Sequence, residues 1–245
     1  MNSVTVRVPA TTANLACGFD TLGCALSLYN TRSFTLSDRL SFTGCDEEFQ
    51  TPDNLACQGF DAVYARLGRP APAVHIDIRA DIPVCRGLGS SAAMLAAGAM
   101  AANALSGAKL SKAELLSIIT PIEGHPDNTS PAISGGLVAS AMEGKRVYSV
   151  SVPVSGKISF AVMIPPFELK TEKARGVLPT EYSREDTVFN LSRSALMTAS
   201  LFSGDLQNLR VAVQDRIHQP YRSGLIENYD QVFRMSYELG SLGTY

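Results

Sequence analysis

The chain has 245 residues, enough for one large or two small domains around a buried core, and 45% are hydrophobic against 18% charged, which excludes a disordered chain. Its 21 basic and 23 acidic residues give a formal net charge of −2, too little positive charge for a general nucleic-acid binder. The longest apolar run, residues 92–102, is about half of the ~20 residues that a membrane span needs, and the polar, alternating start does not read as a signal peptide. Five cysteines (Cys17, Cys24, Cys45, Cys57, Cys85) are scattered without a CxxC pair, which argues against zinc or a disulfide framework and for a reduced, cytoplasmic protein. Residues 2–9 alternate with period two and predict a strand. Residues 11–23 are small, polar and glycine-punctuated, the composition of a functional loop. Residues 33–42 predict one or two further strands. Residues 53–68 predict a helix with Leu55, Phe60, Val63 and Leu67 on one side and Gly68 as its stop. Residues 73–79 alternate again. A glycine-rich loop over 83–91 leads into an Ala/Met-rich helix over 90–105. Residues 111–119 open with the capping box Ser111 and Glu114. Residues 135–140 and 146–152 predict a hairpin around Glu143-Gly144. Pro153, Ser155 and Gly156 mark a boundary between domains 1–154 and 155–245. A buried strand is expected over 158–164, followed by helices over 171–176, 186–200, 205–215 and 225–239. The pattern is α+β in two parts.

The stretch Pro83-Val84-Cys85-Arg86-Gly87-Leu88-Gly89-Ser90-Ser91-Ala92-Ala93 is the most informative. Two glycines allow a tight turn and close approach to a ligand, and two serines then open a helix whose free N–H groups favour an anion. The same residues also fit a plain glycine turn with a serine cap. Gly87, Gly89 and Ala92 match the weak G-x-G-x-x-A dinucleotide pattern, but no ribose-binding acid follows at the required spacing. A Walker A loop is excluded, because no G-K-[ST] follows. Two further polar clusters stand out. Asn14 and Asp20, in a loop with Gly18 and Gly23, suit an ammonium group and a hydroxyl, or a simple Asx turn. Glu123, His125, Asp127 and Asn128 lie together before Pro131 and Gly135-Gly136. Glu123 is a hard-oxygen candidate for Mg²⁺.

The stretch over 83–93 matches the phosphate-loop pattern P-x-x-x-G-L-G-S-S-A-A at every fixed position, and in this the chain resembles the GHMP kinases. Within that superfamily, residues 9–23, the stretch from His125 to Gly136, Thr171 to Pro179 and His218 to Arg222 are similar to homoserine kinase motifs. The resemblance implies a ribosomal-protein-S5-like N-terminal domain and a ferredoxin-like C-terminal domain with the active site between them. It implies that Pro83 to Ala93 bind ATP, with Gly87 to Ser91 wrapping the triphosphate, and that Asn54 meets the base. Ser91 and Glu123 would hold Mg²⁺. For L-homoserine it implies binding by Asn14, Asp20, His125, Asn128, Thr171, Arg175 and Arg222, the two arginines suiting a carboxylate. Asn14, Asn128 and Asp127 are the catalytic candidates. Asp127 is the obvious base by chemistry; the expectation is hydroxyl positioning by Asn128 and Asn14 without a dedicated base. The implied reaction is ATP-dependent phosphorylation of the homoserine hydroxyl, with no nucleic-acid or membrane partner and room for a homodimer. Another small-alcohol GHMP kinase, of mevalonate type, and a nucleotide-binding form without turnover are the competing expectations. GHMP kinases also carry a Ser-Gly-Ala-Gly-Pro stretch that is missing after residue 200, while residues 241–245 read as the start of a strand. The resemblance therefore implies a C-terminally truncated form.

Overall fold

The alternation at the start builds β1 (Ser3–Ala13), with Val6, Val8 and Ala10 turned into the core. A computed structural model describes residues 1–167, 169 and 171–245. The strand β2 (Leu22–Leu36) is the hub of a six-stranded sheet: it pairs antiparallel with β1 along one edge. On its other edge it pairs with β4 (Val74–Ala80) through Asn30 to Leu36 and with β5 (Leu137–Glu143) through Leu22 to Cys24. β3 (Ser41–Thr43) runs parallel to β4, and β6 (Arg146–Val152) completes the hairpin with β5. The strands expected over 33–42 are therefore the end of β2 and the whole of β3. The first half of β2 was not expected, because Leu22, Gly23 and Cys24 are buried in succession and show no alternation.

The helix α1 (Leu55–Arg66) is capped by Asn54, whose Oδ1 accepts from the Ala56 N–H at 2.9 Å. It packs on the alanine-rich α2 (Ser90–Ser106) almost backbone to backbone. A Cβ at Gly98 would lie 1.9 Å from the Ala56 carbonyl, and one at Gly59 would lie 2.2 Å from the Leu95 carbonyl. Small residues on both faces set this spacing, and Phe60 and Phe34 stack beneath it with ring centroids 5.8 Å apart. The capping box forms at the start of α3 (Lys112–Glu123), which runs four residues further than the expected end at 119. α4 (Pro126–Ser134) was not expected, since Pro131 reads as a breaker. Pro126 at its first turn suits a helix start, and Pro131 leaves the Asp127 carbonyl without its helical donor. Gly23 of β2 packs against that carbonyl, where a Cβ would come within 1.8 Å.

After β6 the described residues carry helices and irregular chain: α5 (Thr171–Gly176), α6 (Arg184–Ser203), α7 (Leu209–Ala212), α8 (Gln219–Arg222) and α9 (Tyr229–Glu238). The α+β class holds, but the buried strand expected over 158–164 does not form. Val162, Met163 and Ile164 are 48%, 60% and 48% exposed, and among the described residues no strand pairs with this apolar segment to make it one. Residues 241–245 form no strand either; the Tyr245 hydroxyl lies 2.9 Å from Thr12 Oγ1. The second half packs onto the first through one shared cluster, in which Leu15, Cys17, Leu22 and Cys24 meet Met197, Leu201, Leu209 and Val213. No helix among the described residues is long and apolar enough to cross a membrane.

Replacing a mid-helix glycine by alanine ordinarily stabilises a helix by about 1 kcal/mol. At Gly98 the added methyl meets a backbone carbonyl that cannot turn away, so Gly98→Ala is expected to destabilise by about 1–3 kcal/mol instead. Thermal denaturation checks this: a Tm lowered by roughly 3–9 °C is expected, and an unchanged or raised Tm would show that α1 and α2 part easily.

Candidate active site

A cleft of about 810 Å³ runs between the start of α2, the turn after β1, the end of α3 and the α5–α8 face. It brings together residues far apart in sequence: Asn14, Asp20, Asn54, Val84 to Ser91, Glu123, His125, Asp127, Asn128, Thr171, Arg175 and Arg222 all line it. Three of the expected residues do not. Pro83 lies behind the loop, and Ala92 and Ala93 are fully buried under the wall, where they let α2 approach its neighbours.

The loop before α2 is bent by three left-handed residues, Cys85 (φ +55°), Gly87 (+71°) and Gly89 (+66°). Gly89 is the N-cap of α2, so no side chain bonds to the first N–H groups of that helix. They and the helix dipole are left to a ligand in the cleft. A side chain at 89 collides with its neighbours: a Cβ would sit 1.9 Å from Thr11 Oγ1 and 2.9 Å from Asn128 Oδ1, so those side chains must move. Those two atoms bond to each other, Thr11 donating to Asn128 at 2.7 Å, while the Thr11 N–H donates to the Leu88 carbonyl. A Cβ at Gly87 meets nothing within 4 Å.

At the far end of α3, Ser91 Oγ donates to Glu123 Oε2 at 2.5 Å. Burial holds the Glu123 carboxyl above its usual range, and the Ser91 hydrogen bond only partly opposes this. His125 Nδ1 bonds to Asp127 Oδ1, and Asp127 is 2% exposed. Burial pulls the His125 imidazolium down, but the hydrogen bond and charge of Asp127 more than offset it and leave the group above its ordinary value.

The turn after β1 carries unusual strain. Asn14, Leu15 and Ala16 are all left-handed (φ +66°, +42° and +63°), as is Asp20 (+55°). Asn14 Oδ1 accepts from the Asp20 N–H at 3.0 Å. The outward-turned carbonyls are held from the second half, Ala16 by His218 Nε2 at 2.6 Å and Cys17 by Asn190 Nδ2 at 2.9 Å. The Asp20 carboxylate accepts both arms of Arg175, at 2.6 and 3.1 Å. Arg222 donates its Nε to the Ala174 carbonyl at 2.9 Å and has no acidic partner within ion-pair distance among the described residues. Burial and the charge of Arg175 hold its guanidinium below its ordinary value.

Asn54 is placed at the cleft, but its amide is already engaged at both ends, with Oδ1 in the α1 cap and Nδ2 donating to the Phe49 carbonyl at 2.8 Å. It props the Glu48–Phe49 wall and is poorly free to read a base. Sequence reading missed Thr11, Phe19 and Phe49, and it singled out His218 only as a weaker candidate with a helix cap as the competing role. The residue types at 19 and 218 were visible in the motifs; their contacts are not, because they join positions about 200 residues apart.

Residues 54–136 match the family described as GHMP kinases N terminal domain. The chain is 45% identical to a homoserine kinase of Clostridium beijerinckii and 43% identical to one of Clostridium botulinum, each over 99% of this chain and 82% of the relative. Its fold overlays on the crystal structure of a homoserine kinase from Cytophaga hutchinsonii with a TM-score of 0.86 at 30% identity, covering 99% of this chain and 81% of that one. A mevalonate kinase from L. major, 14% identical with a TM-score of 0.67 over 98% and 82% of the two chains, shares the fold alone.

The two loop glycines give a paired prediction. Gly87→Ala adds a methyl in open space and should cost about 1–2 kcal/mol from the left-handed backbone. Gly89→Ala bears that cost and also drives Thr11 off Asn128, for about 2–3 kcal/mol in stability, with ATP affinity lowered on the order of tenfold or more. Calorimetric titration with ATP checks this; equal losses for the two variants would show that the Thr11 contact does not shape the loop.

Proposed function

Because the chain belongs to the homoserine kinases of the GHMP superfamily, it is a phosphotransferase that uses ATP, and we propose the following assignment of its cleft to the phosphorylation of L-homoserine. The observation that carries the assignment is the juxtaposition in one cleft of an uncapped helix N-terminus and the Asp20, Arg175 and Arg222 cluster. The first suits a polyphosphate and the second a zwitterionic amino acid. Residues 1–154 then act as the nucleotide-binding unit, and residues 155–245 supply the arginines.

The triphosphate lies along residues 84–91, with backbone N–H groups of the loop and of the first turn of α2 as donors. Ser91 and Glu123 fit Mg²⁺ by their chemistry: a hydroxyl and a carboxylate oxygen in contact, both hard donors, with the carboxylate half-buried and without an ion-pair partner among the described residues. When bound, the ion would neutralise charge on the phosphates. Arg222 and Arg175 take the substrate carboxylate, and Asp20 takes the ammonium, so the Asp20–Arg175 pair is exchanged for contacts to substrate. A mevalonate-type alcohol brings no ammonium for Asp20. Asn128 uses Oδ1 on Thr11, which turns its Nδ2 toward the cleft to hold the substrate hydroxyl. The hydroxyl oxygen forms its bond to the γ-phosphorus as the bond to the ADP oxygen breaks. The hydroxyl proton leaves late in such a loose transition state and passes to an oxygen of the transferred phosphoryl group or to water in the cleft. Asp127 is committed to His125 and orients it; it is not read as the base. Asn14 acts through the Asp20 backbone, which makes it a positioning group rather than a direct contact.

A coupled assay of ADP release tests the reading. ADP release that depends on homoserine is expected, and its absence with homoserine, together with release on a small alcohol lacking the ammonium, would replace it. Arg222→Ala should lower kcat/KM for homoserine by ~30- to 1000-fold, about 2–4 kcal/mol, while the ATP KM stays within about threefold. A homoserine KM unchanged by the substitution would remove Arg222 from the carboxylate site.

A further inference from the structure

Phe19 stands between Asn14 and Asp20 in the strained turn and carries no polar atom, yet three cationic or ionisable groups gather on its ring. The Arg222 guanidinium carbon lies 5.1 Å from the ring centroid and that of Arg175 lies 5.4 Å away. The His218 ring stacks on it at 5.1 Å with an interplanar angle of 27°. Both arginine distances are within the reach of a cation–π contact, which is about 6 Å. Two guanidinium groups brought to one ring repel each other. Arg175 has Asp20 to hold it, but among the described residues Arg222 has one hydrogen bond, from Nε to the Ala174 carbonyl. The electron-rich ring of Phe19 is thus a counter-charge within reach of both guanidinium groups before any carboxylate arrives. His218 fixes the ring in turn, because its Nε2–H is tied to the Ala16 carbonyl of the same turn.

We propose that Phe19 is a positioning residue for substrate recognition: its ring face sets the spacing of Arg175 and Arg222, and so determines how tightly the amino acid's carboxylate is held. This rests on the proposed homoserine site and extends it to a residue that touches the arginines.

Two sets of variants test it in the full chain. Phe19→Leu removes the π face and should raise the homoserine KM by about 3- to 10-fold, with kcat and the ATP KM within about twofold; Phe19→Tyr, which keeps the face, should restore the wild-type KM. Leucine also changes packing, so a second series keeps the ring and changes its electrostatics. 4-Fluorophenylalanine and 3,4,5-trifluorophenylalanine incorporated at position 19 should raise the homoserine KM stepwise with fluorine content while the Tm stays unchanged. A merely structural ring would not produce that gradient. A flat homoserine KM across the fluorinated series, with the protein folded and active, overturns the proposal. If the wild-type chain itself releases no ADP with homoserine, the functional reading fails instead, and the two failures are told apart by the unmodified enzyme.

Discussion

The contact at Gly89 is the constraint on which the rest of the site depends. A residue without a side chain, in a left-handed conformation, lets the glycine-rich loop touch Thr11 of β1 and Asn128 of α4 at one point. Close approach there fixes three things together. It aims the bare N-terminus of α2 into the cleft, it orients the Asn128 amide through Thr11, and it ties the loop to the sheet through the Leu88 carbonyl. Any side chain at 89 separates these segments. The alanine-rich composition of α2 serves the same geometry further along, since Gly98 and its small neighbours let α1 lie close enough to hold the helix at its angle.

The other end of the cleft is organised by strain that is countered from outside. Three consecutive non-glycine residues in the left-handed region cost of order 1–3 kcal/mol each, and such a turn persists only where its surroundings over-determine it. Here the surroundings are His218 and Asn190, which bond to the carbonyls that the turn exposes. Both come from the second half, so the turn that presents Asp20 and Phe19 is completed only when the helical half is docked. His218 Nε2 carries the hydrogen given to the Ala16 carbonyl, and burial holds the ring's pKa below the ordinary value against the charge of Asp215.

Local signals read well where local physics decides. Alternation placed β1 and β4, the Ser111–Glu114 pair placed the start of α3, and the two glycines before Ser90 placed the loop. They failed where a neighbour decides. The start of β2 is covered on both faces and loses its period. α4 tolerates Pro131 because Gly23 can pack on the carbonyl that the proline frees. The apolar run 158–164 has the composition of a strand, but no described strand pairs with it. The site residues were legible as types within motifs, but not their partners. Nothing local shows that Asp20 lies in the grip of Arg175, 155 positions away, or that Asn54 is spent on a helix cap.

The Asp20–Arg175 pair also bears on how the two substrates respond to dissolved salt. The pair is already neutral, and under the proposed assignment the zwitterion that replaces it carries no net charge, so binding the amino acid leaves the total charge of the cleft as it was. A triphosphate adds several negative charges to the uncapped end of α2. Mobile ions screen net charges over about 10 Å at 0.1 M ionic strength, but they act weakly on the swap of one short ion pair for two others. Homoserine KM should therefore hold nearly constant as ionic strength rises, while ATP KM climbs. An enzyme built this way keeps its affinity for the amino acid in concentrated surroundings, with the salt sensitivity carried by the nucleotide.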